Sequence, residues 1–144
     1  MTTEEEILRS SRTVAMVGLS ANPDRPSNKV ARYLKEKGYE IIPVNPGEKV
    51  ILEETCYPDL SSITVHVDVV DIFRRSEDVL PIVHEAVEIG ANVVWMQEGV
   101  INEEAETYAR KAGLKVVMDR CMRKEHLKLD EVDDTTGIEH GEVE

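Results

Sequence analysis

Residues 13–29 read TVAMVGLSANPDRPSNK, an apolar run that passes straight into a loop with one glycine, several polar residues and two prolines. A buried strand followed by such a loop and then a helix is the layout of a phosphate-binding turn. Gly18 lets the chain turn sharply with no Cβ in a ligand's way. Ser20, Ser27 and Asn28 offer hydroxyl or amide groups, and a helix starting near Ser27 or Asn28 aims unpaired backbone N–H groups at an anion. Arg25 and Lys29 add positive charge, while Pro23 and Pro26 stiffen the loop. The same residues also read as an ordinary strand-to-helix loop, with Ser27 as a helix cap and Arg25 in solvent. The three-glycine spacing of a dinucleotide fingerprint is absent.

On either side of this stretch, apolar periodicity switches between strand and helix types. Thr3-x-x-Glu6 is a capping-box pattern that opens a short helix around Ile7 and Leu8. Val30, Ala31 and Leu34 form the stripe of a helix that stops at Gly38, and residues 40–44 form a second strand closed by Asn45-Pro46-Gly47. Residues 48–63 are the least regular, with a short extended piece and one helical turn near 58–62. Val65, Val67 and Val69 alternate with His66 and Asp68, which predicts a third strand with one polar face, at a sheet edge. Ser76 is placed to cap a helix carrying Val79, Ile82, Val83, Ala86 and Val87 on one face. A strand over 93–96, an Asn102-capped helix, a strand over 115–118 and a terminal helix over 122–129 complete the pattern.

Strands alternating with helices through long crossovers predict a single α/β domain of three layers, a five-stranded parallel sheet of order 3-2-1-4-5 with helices on both faces. The one break in composition lies near Asp130. Residues 1–129 form the body, and 130–144, with seven acids and no Lys or Arg, read as a solvated, disordered tail.

The net charge of −12 argues against a nucleic-acid partner, so an anionic ligand needs cations gathered locally. No apolar run approaches a membrane span, and the acidic N-terminus is unlike a secretory signal, so the chain reads as soluble and cytoplasmic. Cys56 and Cys121 lie far apart in no metal-type spacing, and no metal site is expected. Abundant Glu with a single Gln fits a thermophile's composition.

Ligands of such sheets bind outside the carboxyl ends of the strands, where the strand order reverses. For order 3-2-1-4-5 that point lies between the first and fourth strands. Residues 18–28, 44–47, 71–76, 97–100 and 119–122 should meet there. The second strand ends Val44-Asn45-Pro46, without the acid that holds the ribose of NAD, so nicotinamide binding is the second reading.

Five segments in order, VGLSANPDRPS, PVNP, DVVDIFRRSEDV, VVWMQEGV and DRCMRKEH, resemble the small stand-alone CoA-binding proteins. These are similar to the N-terminal CoA-binding domain of the succinyl-CoA synthetase alpha subunit. The match spans about residues 6–129. The resemblance implies a Rossmann-like fold that holds coenzyme A, or an acyl-CoA, across the strand ends. Gly18, Ser20, Arg25, Pro26 and Ser27 match the phosphate-side loop; Val44, Asn45 and Pro46 the segment lining the adenosine. Asp71, Ile72, Phe73 and Arg74 match the segment bordering the nucleotide, and Gln97, Glu98 and Gly99 the one along the pantetheine arm.

The phosphorylated histidine and nucleotide-grasping partner of the larger ligases lie outside this domain. No catalytic residue is assigned: the four histidines read as surface or helix residues, and Glu98 reads more readily as a surface residue than as a base. The expected function is coenzyme A binding as a non-catalytic carrier, sensor or partner subunit, alone, with a protein partner or as a homo-oligomer. An NAD(P) oxidoreductase and an acyl-CoA enzyme are the alternatives. Cys121, at the same edge, is placed to form a mixed disulfide with a ligand thiol; its plainer reading is a buried packing residue.

Overall fold

The computed structural model describes residues 1–131. Helix α1 (Thr3–Ser10) leads into β1 (Thr13–Val17), α2 (Pro26–Glu36) and β2 (Glu40–Val44). A hairpin of β3 (Val50–Ile51) and β4 (Glu54–Thr55) and a 3-10 turn (Leu60–Ser62) precede β5 (Val69–Ile72). A second 3-10 turn (Ser76–Asp78) is followed by α3 (Val79–Glu88), β6 (Val93–Met96), α4 (Glu103–Lys111) and β7 (Lys115–Val117). The last helix, α5, covers residues 122–131.

Strands β2, β1, β5, β6 and β7 form one parallel sheet in that spatial order. The α/β class, the five parallel strands and the covering of both faces are as expected. The order is not. Numbered by appearance, the sheet strands run 2-1-3-4-5, which puts the third strand in the middle and not at an edge. The alternation over 65–69 that suggested an edge runs ahead of the strand. β5 itself is buried at every position, as a strand covered on both faces must be. Asp68 docks it: its Oδ2 accepts from the N–H groups of Arg12 and Thr13 at 2.8 and 3.0 Å, pinning the start of β5 beside β1. The order therefore reverses between β1 and β5, and the site belongs there.

Side chains alternate along each strand between two apolar layers. Ala15, Val17, Val70 and Ile72 pack with Val83 of α3 and Ala105 of α4. On the other face Val14, Met16, Val69 and Trp95 pack with Ile7 of α1, Leu34 of α2 and Met122 of α5. Local signals agree with the helix ends, with two shifts. Thr2, one residue before the expected Thr3, caps α1 through a bond from Glu5 N–H. Ser76 does not cap α3; its Oγ accepts from Ile101 N–H at 3.0 Å. Asn102 caps α4 as expected.

Helix α5 is longer than expected and lies on α2. Tyr33 Oη and His126 Nδ1 share a hydrogen bond of 2.8 Å, and Lys37 pairs with Asp130 at 2.8 Å. That hydrogen-bonded pairing lowers the pKa of Asp130. Asp130 thus lies in α5, one residue past the boundary at 129 that composition suggested. The expected disordered tail, from 132 onward, lies outside the described residues.

Candidate functional site

A cleft of about 870 Å³ opens at the carboxyl ends of the strands, at the reversal between β1 and β5. Its volume is in the range of small-molecule and cofactor sites. Four chain segments wall it: the β1–α2 loop, the end of β5, the end of β6, and the start of α5.

The loop is rigidified by its own side chains. Ser27 does not cap α2; its Oγ accepts from Ser20 N–H at 3.0 Å, and Asn28 Nδ2 donates to Ser20 O at 2.8 Å. Asn22 N–H donates to Ser20 Oγ and Asp24 N–H to Asn22 Oδ1. Helix α2 starts at Pro26 with Arg25 as its N-cap, and no side chain caps it. Its first turn, with the positive end of the helix dipole, borders the cleft. Gly18 has φ +88°, and a Cβ there would lie 2.3 Å from Phe73 O. Glycine is thus required for the close approach of the β1 loop to the β5 end, a stronger reason than leaving room for a ligand.

The electrostatics reverse those of the whole chain. Arg25, Lys29, Arg74, Arg75, Arg123 and Lys124 line the cleft against only Asp78 and Glu98. Arg75 is paired with Asp78 and Glu77, and Lys124 lies 2.9 Å from Glu98 Oε1. The hydrogen bond that Lys124 donates to Glu98, and then the charge of Glu98, raise the pKa of Lys124. Arg123 lies over the Tyr33 ring. Arg25, Lys29 and Arg74 have no ion-pair partner among the described residues.

Of the residues singled out from the sequence, Gly18, Ser20, Arg25, Pro26, Ser27, Phe73, Arg74 and Gln97 line this cleft. Val44 and Pro46 line a smaller hollow of about 150 Å³ with Pro58, Leu60 and Ile82; it shares Gly18 and Arg74 with the cleft. Four lie in neither. Asn45 braces the loop, its Nδ2 donating to Leu19 O and its Oδ1 accepting from Gly47 N–H. Gly99 turns the chain at φ +86° and donates its N–H to Asp119 Oδ1. Ile72 is core. Asp71 is fully buried in β5 with neither carboxylate oxygen hydrogen-bonded, and burial raises its pKa well above the usual range. Burial there disfavours its charged form, and it lines neither hollow.

Sequence reasoning held Arg75 only as part of the segment 71–76, and it missed Arg123 and Lys124 as cleft residues. The last two stood in the DRCMRKEH segment, but only the docking of α5 turns them inward. Cys121 lines the cleft and is half-buried, and it also packs against the second apolar layer. None of His66, His84 and His126 lines it. Among the described residues there is no group of three or more His, Cys, Asp or Glu arranged for a metal ion, and no helix long and apolar enough to cross a membrane.

The family described as "CoA binding domain" matches residues 12–127. YneT of Bacillus subtilis (strain 168) is 41% identical over 122 residues, 85% of this chain and 90% of that protein. A hypothetical protein from Pyrococcus horikoshii OT3 superposes with a TM-score of 0.85 at 40% identity, covering 89% of this chain and 92% of its own. The dinucleotide-forming acetyl-coenzyme A synthetase 1 of Ca. Korarchaeum cryptofilum, in complex with phosphate and ADP, matches with a TM-score of 0.69 at 25% identity. That match covers 83% of this chain and 28% of the synthetase.

Proposed function

This chain belongs to the CoA binding domain family, and on that premise we propose that its cleft binds coenzyme A or an acyl-CoA, as a carrier, sensor or partner subunit with no chemistry of its own. The observation that carries the reading is the local reversal of charge. A chain of net charge −12 gathers six cations around one cleft and, among the described residues, leaves Arg25, Lys29 and Arg74 without ion-pair partners. Unpaired cations beside a helix N-terminus suit phosphates.

In this reading the pyrophosphate lies against Ser20, Ser27 and the first turn of α2, with Arg25 and Lys29 beside it. Arg74 meets the 3′-phosphate. The adenine enters the hollow between Val44, Pro46 and Ile82, and the pantetheine arm runs toward Gln97, with its thiol end near Cys121. The binding unit is the described body, in the cytoplasm, and the acidic segment beyond it takes no part. A nicotinamide dinucleotide fits less well, because Asn45 stands where the ribose-holding acid would be and its side chain is engaged by Leu19 and Gly47. Calorimetric titration with coenzyme A, NAD, NADP and ADP separates the readings. Coenzyme A is expected to bind best, and a preference for NAD or NADP overturns the assignment.

A further inference from the structure

Gln97, the only glutamine in the chain, is 5% exposed and yet lines the cleft. Its Oε1 accepts from the Met122 N–H at 3.1 Å in a buried bond. A backbone N–H can only donate, so this bond fixes the orientation of the side-chain amide, with the oxygen toward α5 and Nε2 away from it. Among the described residues Nε2 has no hydrogen-bond partner. A side chain this buried holds one unmet donor group at the wall of the cleft.

The oxygen's partner has its own significance. Met122 is the first residue of α5 and is fully buried. The first N–H groups of a helix have no partner within it, and a buried one must find an acceptor elsewhere. Gln97 supplies that acceptor. Cys121 just before Met122, and Arg123 and Lys124 just after it, form one wall of the cleft. Nearby bonds hold the preceding turn: Trp95 Nε1 donates to Arg120 O at 2.8 Å, and Arg120 N–H to Met96 O at 3.3 Å. Lys37 holds the far end of the helix through Asp130. Gln97 ties down the residue from which the wall begins.

We propose that Gln97 is a positioning and specificity residue. Its oxygen seats α5, and with it Cys121, Arg123 and Lys124, while its Nε2 selects a ligand atom that accepts a hydrogen bond. The proposal deepens the coenzyme A reading and rests on it for the ligand. Nε2 is an uncharged donor that is not sealed inside the protein, so it is open to the cleft and suits a neutral acceptor such as an amide carbonyl. Ligand binding and seating of α5 are then coupled through one side chain, each favouring the other.

Two variants divide the roles. Gln97→Glu keeps an acceptor for Met122 and loses the donor; Gln97→Met loses both. Amide hydrogen exchange at Met122 on the ligand-free protein reads the seating, and calorimetry with coenzyme A at pH 8 reads the selection. With Gln97→Met, Met122 should exchange about tenfold faster and affinity should fall about tenfold, the effect of leaving a buried donor unpaired. With Gln97→Glu, exchange should match wild type while affinity falls by a similar factor. Unchanged exchange in Gln97→Met overturns the seating role, and unchanged affinity in Gln97→Glu overturns the selection. If wild type fails to bind coenzyme A, the ligand reading falls with the selection role, and the exchange data still decide the seating.

Discussion

A Cβ on Gly18 would stand 2.3 Å from the carbonyl oxygen of Phe73, so the β1 loop and the end of β5 approach each other as closely as backbones without a side chain allow. The two adjacent strands that flank the reversal of order are joined at their carboxyl ends by this contact. Phe73 N–H also donates to Val17 O at 2.9 Å. Gly18→Ala must break the contact and hold alanine at φ +88°. A loss of about 2–4 kcal/mol in unfolding free energy is expected, with loss of ligand affinity. Denaturant melts check it, and an unchanged midpoint would show that the loop relaxes freely.

The cations divide by whether the protein already neutralises them. Arg25→Ala and Arg74→Ala should each weaken coenzyme A binding by about 1.5–3 kcal/mol where the contact is shielded, and by less where it is wet. Arg75→Ala should matter less, because Asp78 and Glu77 already hold that guanidinium. Arg74→Ala should cost coenzyme A more than its analogue lacking the 3′-phosphate. Equal losses for the two ligands in calorimetry would move Arg74 to another phosphate.

The two cysteines should react very differently. Cys121 lines the cleft, whereas Cys56 is buried, its Sγ bonded to Asn45 O and its pKa raised by burial. Alkylation followed by intact mass and peptide mapping should label Cys121 first, and saturating coenzyme A should slow that labelling. Equal rates, or no protection by ligand, would place the ligand away from α5.

Much of this site is readable in the chain, and what is not has a physical cause. The strand, loop and helix of 13–29, the Asn102 cap and the cation Arg25 follow from local pattern, and Arg74 follows from the family resemblance. The sheet order does not, because the crossover from β2 to β5 has a hairpin and a 3-10 turn in place of a helix. The valine alternation over 65–69 masked the wholly buried run that follows it. Asn45 has the right chemistry for a ligand, but its side-chain amide is committed to Leu19 and Gly47, and Ser27 Oγ accepts from Ser20 N–H, which leaves its hydroxyl hydrogen to donate; such partners are set only by the folded chain. Arg123 and Lys124 enter the cleft because Gln97 and Lys37 hold α5 in place, a tertiary effect with no local signature.

Asp71 makes stability depend on pH. Its folded pKa is raised far above the ordinary 3.8 by burial, so between those values the folded state holds a proton that the unfolded state has released. Stability from this group is fully present below about pH 4 and declines as pH rises toward the folded pKa. Asp71→Asn removes the titration. Its stability relative to wild type should therefore rise from pH 3.5 to pH 8 in paired denaturant melts. A difference that stays constant with pH would mean that Asp71 ionises without cost.

The central claim is that coenzyme A occupies the cleft between the β1 loop, the β5 end and α5, and a crystal structure of the protein with coenzyme A tests it most directly. The pyrophosphate should lie against Ser20, Ser27 and Arg25, the adenine beside Val44 and Pro46, and the pantetheine arm should pass Gln97 toward Cys121. Coenzyme A bound elsewhere on the surface, or a cleft left empty at saturating ligand, would contradict it.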